Sequence, residues 1–321
     1  MAEPILIDTD TASDDAVALI MALRSRGLDV IAITTVAGNV AVEQATRNAL
    51  YTAELCGAGT PVYKGAAQPL TRRLAIADWF HGRDGLGDHG YPPPSRSAET
   101  QHAVEAIISL ARSNPGLLLV TLGPLTNIAL ALAQAPDLAH HVGRCVVMGG
   151  APCCVGNVTP AAEYNMWVDP EAARIVFHSG LPIEMVGWQL CRGEAVIGPA
   201  DIELIEGIGT KPAHFAIECN STARQAFRAQ TGEDGISLPD PVAMSIALDP
   251  SVGIEWNLHY VDIETASELT RGMTVVDQLN VAGNERNRAT WSDLLDREPN
   301  ARVCWAIDTP RWKQALYSAL R

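Results

Sequence analysis

The feature that most constrains this chain is a repeated order. A short strand-like run is followed by a turn rich in Gly, Asp or Asn, and then by a helix-like run. Pro4 to Ile7 is apolar throughout, as expected of a strand buried on both faces of a parallel sheet. Ser13 to Leu23 then reads as a helix, with Ser13 as N-cap and Asp14 and Asp15 in the first turn, where acidic side chains suit the helix dipole. Val30 to Val36 is a second strand ended by Gly38-Asn39, and Glu43 to Cys56 is a helix that stops at Gly57. The order returns with strands at Leu117–Thr121, Arg144–Val147 and Ile183–Val186, and helices at His102–Arg112, Ile128–Ala133 and Pro170–His178. This succession predicts an α/β fold: an open, doubly wound, mostly parallel sheet with helices on both faces. Such sheets bind ligands outside the carboxyl ends of their strands. Asp8, Asp10, Asn39, Thr126 and Met148 all fall at those ends, so residues far apart in sequence are expected to converge on one rim.

Three stretches lack a periodic pattern: residues 68–101, Gly149 to Val168, and Gly232 to Asp240. Loops of the first two lengths inside a compact fold are usually binding segments or lids. With no internal repeat, low-complexity tract or linker, one domain over residues 1–321 is the simplest expectation. No uncharged apolar run is long enough to span a bilayer, and the first residues lack the basic stretch of a signal peptide. The 7 cysteines show no paired C-x-x-C spacing, which predicts reduced thiols and a cytoplasmic location. A formal charge of −14 argues against a nucleic-acid partner and favours a neutral or cationic small substrate.

Four carboxylates, Asp8, Asp10, Asp14 and Asp15, fall within eight residues and repel one another unless a cation gathers them. Hard oxygen donors on a strand–turn–helix unit suit Ca²⁺ or Mg²⁺ better than zinc. Helix-dipole compensation explains Asp14 or Asp15 alone but does not reach Asp10. Asp8-Thr9-Asp10-Thr11 after a hydrophobic strand also looks like the nucleophile motif of haloacid-dehalogenase-type phosphatases. That alternative wants positive charge around a phosphate, and the chain has only Lys64, Lys211 and Lys313 as lysines.

The pattern Asp8-Thr9-Asp10-x-x-x-Asp14-Asp15 resembles the N-terminal signature of the inosine–uridine-preferring nucleoside hydrolase family. The resemblance continues through Ala37-Gly38-Asn39, the loop His81-Gly82-x-Asp84-Gly85-Leu86-Gly87, Leu122-Gly123-Pro124-Leu125-Thr126-Asn127 and Met148-Gly149-Gly150. Gly156-Asn157, Glu163-Tyr164-Asn165, Asp169-Pro170-Glu171-Ala172-Ala173 and Asp240-Pro241 complete it over roughly residues 5–250, with a weaker likeness at Arg271–Asp277. The resemblance implies Ca²⁺-dependent hydrolysis of the N-glycosidic bond of a ribonucleoside. It places Asp10, Asp15, Asp240 and the backbone carbonyl of Thr126 on the metal, with Asp10 as the general base. It places Asp14, Asn39 and Asn165 on the ribose 2′- and 3′-hydroxyls, and Asn157 and Glu163 toward the 5′-hydroxyl with Met148 packed nearby. Relatives are commonly homodimers or homotetramers, and the same is expected here by analogy.

Taken singly, several of these residues have plainer readings. Asn39 and Asn157 follow glycine and suit turns, Thr126 suits a helix N-cap, and Asp169 before Pro170 reads as a structural N-cap. The chain also departs from the family at one point. Many members carry a histidine before the last metal-binding aspartate, as the leaving-group acid; here that position is Pro239. His81 is the first substitute to consider. Aromatic stacking on the base by Trp79, Trp167 or Trp188 is a second. A binding paralogue that has lost catalysis is the rival from another class.

Overall fold

The computed structural model of the chain describes residues 2–287 and 298–321. Its elements in chain order are β1 (Glu3–Thr9), α1 (Ser13–Leu23), β2 (Leu28–Thr35), α2 (Val42–Leu55), β3 (Val62–Lys64), α3 (Asp78–His81), α4 (Ala103–Ser113), β4 (Leu117–Thr121), α5 (Thr126–Gln134) and β5 (Val142–Met148). There follow α6 (Tyr164–Val168), α7 (Pro170–Phe177), β6 (Ile183–Val186), α8 (Pro199–Ile208), α9 (Lys211–Glu218), α10 (Ser221–Thr231) and α11 (Pro239–Leu248). The chain finishes with β7 (Gly253–His259), β8 (Val261–Ile263), β9 (Thr274–Val276), β10 (Ala301–Ile307) and α12 (Thr309–Leu320).

Eight strands form one sheet in the order β3-β2-β1-β4-β5-β6-β10-β7. Every pairing is parallel except that of β10 with β7. β8 and β9 form a separate antiparallel ribbon. Alternation along β1 feeds two cores. Ile5 and Ile7 join the layer with α1, α11 and α12, while Leu6 joins the opposite layer with α4, α5 and α7. Both sheet faces are therefore covered by helices, as the wholly apolar strand runs require.

The strand order grows from β1 in both directions, toward β2 and β3 on one side and toward β4, β5 and β6 on the other. The β1/β4 boundary is thus a topological switch point, where the connections leave a crevice at the carboxyl ends. Asp10 follows β1, and Leu122 to Thr126 follow β4.

Two local readings change. Ser13 is the first residue of α1 and Ala12 is its N-cap, because the Ala12 N–H donates to the Asp15 side chain at 2.8 Å. The Ser13 hydroxyl is thereby released for another partner. The first two stretches without a periodic pattern contain the short helices α3 and α6, and the third ends in the first turn of α11. Asp169 is the N-cap of α7 and accepts from the Ala172 N–H at 3.1 Å, as expected. All seven cysteines are free, and among the described residues no helix is long and apolar enough to cross a membrane.

Candidate active site

The turn between β1 and α1 sets the carboxylates. Asp8 lies within β1, fully buried, and accepts from the Thr34 hydroxyl at 2.5 Å and the Asn127 amide at 2.8 Å. Thr11 takes a φ of 24°, an uncommon value for a β-branched residue, and the chain there turns sharply toward α1. One oxygen of Asp10 accepts the Asn39 N–H at 2.5 Å, and the other is buried with no partner among the described residues. The backbone approaches so closely that a Cβ at Gly38 would strike the Asp10 carboxylate, and one at Gly123 would come within 2.8 Å of it. Both glycines are needed to cradle this side chain.

Asp15 is held by the Thr9 hydroxyl at 2.5 Å and by the Ala12 N–H. Asp240 enters from the first turn of α11, just after Pro239. Carboxylate oxygens of Asp14, Asp15 and Asp240 all lie within 4.8 Å of one another. Asp10 stands beside this trio, and charge repulsion from Asp15 and Asp14 acts on it. Burial, with repulsion inside the cluster, pushes Asp10 and Asp240 far above the usual carboxylate range. Burial first, and for Asp15 also the Asp14 charge, raises Asp14 and Asp15 to about 6, while burial takes Asp8 to about 7. Among the described residues, no lysine or arginine pairs with any of these five aspartates.

Buried carboxylates at this spacing, with unpartnered oxygens on Asp10 and Asp14, lack a counter-charge. A divalent cation taking hard oxygen donors fits them on chemical grounds. The family resemblance implies Asp10, Asp15 and Asp240 on the metal and Asp14 on the sugar. The geometry draws Asp14 into the closest trio as well. Thr126 sits at the start of α5, but its hydroxyl is spent on Asp169 at 2.6 Å. It is not the N-cap, a position held by Leu125. Only its backbone carbonyl is left for the role expected of it.

A cleft with about 660 Å³ of empty space, part of it open to solvent, lies over the cluster. Asp14 and Asp240 form part of its wall, with Asn39, Met148, Glu163 and Asn165. Asn165 donates to the Leu122 carbonyl at 2.8 Å and lies 3.4 Å from the Met148 sulfur, so the ends of β4 and β5 position it. Glu163 is the N-cap of α6, with its carboxylate accepting the N–H groups of Gly150 and Asn165 at 2.8 Å each. Asn157 also faces the cleft. Its side chain accepts from the Tyr164 N–H at 3.0 Å, and its carbonyl accepts from Gln230 at 2.9 Å.

His81, the last residue of α3, is buried in the same wall. Its Nδ1 shares a 2.8 Å hydrogen bond with the Ser13 hydroxyl and lies 3.8 Å from Asp14. Burial lowers its pKa to about 4, so the imidazole is neutral at pH 7. Of the three tryptophans considered for stacking, Trp79 and Trp188 line the cleft. Trp167 does not: it packs under Arg271, 4.4 Å from guanidinium to ring centroid. Phe80, Tyr164 and Gln230 also line the cleft and were not singled out from sequence. Phe80 and Tyr164 adjoin motif residues, which was a usable signal. Gln230 gave none, since α10 carries no motif.

The fold and the site together define a carboxylate-based enzyme of the open α/β class, with its site at the switch point of the sheet. Residues 5–314 match the family model described as inosine-uridine preferring nucleoside hydrolase, and the chain belongs to that family. It is similar to the pyrimidine-specific ribonucleoside hydrolase RihA of Shewanella sp. (strain MR-7), with 43% identity over 301 residues, covering 93% of each chain. Its fold superposes on a plant nucleoside hydrolase, the PpNRh1 enzyme, with a TM-score of 0.92 and 33% identity over 100% of this chain and 99% of that one. The purine-preferring ribonucleoside hydrolase from Gardnerella vaginalis gives a TM-score of 0.88 and 30% identity over 99% and 98%. The chain is therefore an enzyme of the nucleosidase type, a hydrolase of ribonucleosides.

Proposed function

We propose that the chain hydrolyses the N-glycosidic bond of ribonucleosides with Ca²⁺ in the aspartate cluster, giving ribose and a free purine or pyrimidine base. One observation carries this reading. Buried carboxylates of Asp14, Asp15 and Asp240 meet within 4.8 Å at a cleft whose wall also presents Asn39, Glu163 and Asn165.

Asp10, Asp15, Asp240 and the Thr126 carbonyl would hold the cation, which when bound would lower the pKa of a coordinated water. The free oxygen of Asp10 accepts a proton from the attacking water as the water oxygen bonds to C1′. The C1′–N bond breaks with its electron pair leaving on the base. The positive charge developing on the ribose faces the aspartates, which stabilise it without reorganising. Asp14, Asn39 and Asn165 take the 2′- and 3′-hydroxyls, and Asn157 and Glu163 take the 5′-hydroxyl, with Met148 packed alongside. A site that hydrogen-bonds each hydroxyl discriminates strongly against deoxyribose. His81 is assigned to proton delivery toward the base. Being neutral, it acts as a relay, with one nitrogen facing the Ser13 hydroxyl and the other N–H available to the leaving group.

The test is a reducing-sugar assay on inosine, uridine, cytidine, adenosine and guanosine, after chelation and after Ca²⁺ is restored. Turnover that disappears with chelator and returns with Ca²⁺ is expected. Ribose binding without turnover of any of the five would instead identify a binding paralogue, and turnover of a phosphomonoester would identify a phosphatase.

A further inference from the structure

Trp188 stands two residues beyond β6, at the carboxyl edge of the sheet, and is 7% exposed. Its placement is tightly determined. The Trp188 N–H donates to the Gly150 carbonyl at 2.8 Å, and the Gly149 N–H donates to the Val186 carbonyl at 3.1 Å, which zips two strand ends together. A single helical turn, Trp188–Cys191, follows, and the Ser237 hydroxyl donates to the Cys191 carbonyl at 3.1 Å. That bond ties the turn to the segment that delivers Pro239 and Asp240 to the cleft. A Cβ at Gly187 would fall 2.6 Å from Pro152, so the chain at this point has no room to shift. The Arg192 guanidinium lies 5.9 Å from the indole centroid and covers it from outside.

Three other indoles donate within the protein: Trp256 to the Gly253 carbonyl at 3.0 Å, Trp305 to His259 at 3.3 Å and Trp312 to the Ala195 carbonyl at 3.1 Å. The Trp188 Nε1 is buried and has no partner among the described residues, while its side chain lines the cleft. A buried N–H left unpaired is costly and rare in native proteins. Because the Trp188 side chain lines the cleft, a group bound there is the natural candidate partner. The negative wall formed by the aspartates binds and faces the ribose. The flat, weakly polar indole with one outstanding donor suits the other half of a nucleoside.

We propose that Trp188 is a specificity-determining residue whose indole N–H donates a hydrogen bond to a lone pair of the nucleobase, a ring nitrogen or a carbonyl oxygen. This rests on the nucleoside-hydrolase reading of the cleft. The bond strengthens as electron density passes to the departing base, so the N–H contributes to turnover as well as to binding. The indole is not an acid; it holds and polarises the base while another group protonates it.

The experiment compares wild type with Trp188→Phe, which keeps an aromatic ring and removes the donor. Turnover is measured on ribonucleosides and on p-nitrophenyl riboside, and free-base binding is measured by calorimetry with hypoxanthine and uracil. The variant is expected to lose about tenfold in kcat/KM on ribonucleosides, the size of one net hydrogen bond. It should lose distinctly less on p-nitrophenyl riboside and should bind the free bases more weakly. Deaza analogues of inosine give a second arm that does not depend on the variant's stability. The analogue lacking the contacted nitrogen should lose the same factor with wild type and nothing further with Trp188→Phe. Equal losses on every substrate, or none on any, overturn the proposal. If wild type hydrolyses none of the ribonucleosides, the functional reading fails. Unchanged base binding in Trp188→Phe, with wild type active, rejects the Trp188 assignment alone.

Discussion

Asp8, Asp10 and Asp14 each keep one buried oxygen without a partner among the described residues, and in Asp10 the other oxygen accepts the Asn39 N–H. The bonded oxygen fixes the plane of the carboxylate, and the free one is the candidate base. Asp10→Asn keeps the size and the Asn39 contact but removes the proton acceptor. We expect kcat to fall by about 10²–10⁴-fold with unchanged secondary structure. The metal-free variant should melt higher than metal-free wild type, because an amide avoids the burial penalty on a charge. Near-wild-type turnover in this variant would remove Asp10 from the mechanism. His81→Ala should slow inosine far more than p-nitrophenyl riboside, whose leaving group needs no acid; equal losses on the two would reject its assignment to proton delivery. At this scale the aspartates were legible because four carboxylates in eight residues have no bland explanation as a set. What stayed hidden was their division. That Asp14 joins Asp15 and Asp240 follows from where α11 enters, and no local pattern encodes the approach of an element more than 200 residues away.

The elements nearest the site were the most readable ones. β1, β2, β4, β5 and β6 are interior strands of a parallel sheet, and β1 and β4 in particular advertise themselves as nearly continuous apolar runs. β7 is an edge strand in which Ile254 and Leu258 are exposed, and β3 has three residues, so neither carries a strong period. α3 and α6 have four and five residues, too short to show a helical repeat, although they hold His81, Tyr164 and Asn165. The β1/β4 switch point makes its own prediction. Gly123→Ala places a methyl 2.8 Å from the Asp10 carboxylate and 2.9 Å from the Asp10 backbone nitrogen, and neither atom has room to retreat. Overpacking of this kind costs about 1–3 kcal/mol. The expected result is a folded protein with a lowered melting temperature and turnover reduced by at least the factor seen for Asp10→Asn. Wild-type kcat in Gly123→Ala would mean that the strand ends can separate, and that the switch point does not hold the base in place.

For the molecule as a whole, a chain of formal charge −14 buries part of that charge at its centre, and this couples cation, pH and stability. Asp14 and Asp15 rise to about 6 and Asp8 to about 7, each from an ordinary value of 3.8. Between about pH 4 and 7 the metal-free native state therefore holds more protons than the unfolded chain. Stability falls with rising pH wherever the native state is the more protonated. The contribution of these groups is complete below pH 4 and is lost as pH climbs through 6 and 7, at about 1.4 kcal/mol for each unit of displacement. A bound divalent cation reverses the balance, because it binds the deprotonated carboxylates and stabilises the native state in proportion to its affinity. The increase in melting temperature on adding Ca²⁺ to chelated protein should accordingly be small at pH 5 and large at pH 7.5. Asp240→Asn, with one cluster carboxylate gone, should show a flatter pH dependence without cation and a smaller gain with it. Calorimetric melts of both proteins at the two pH values, with and without Ca²⁺, decide the matter. An increase that is the same at both pH values would uncouple the cation from the buried aspartates and move its site elsewhere.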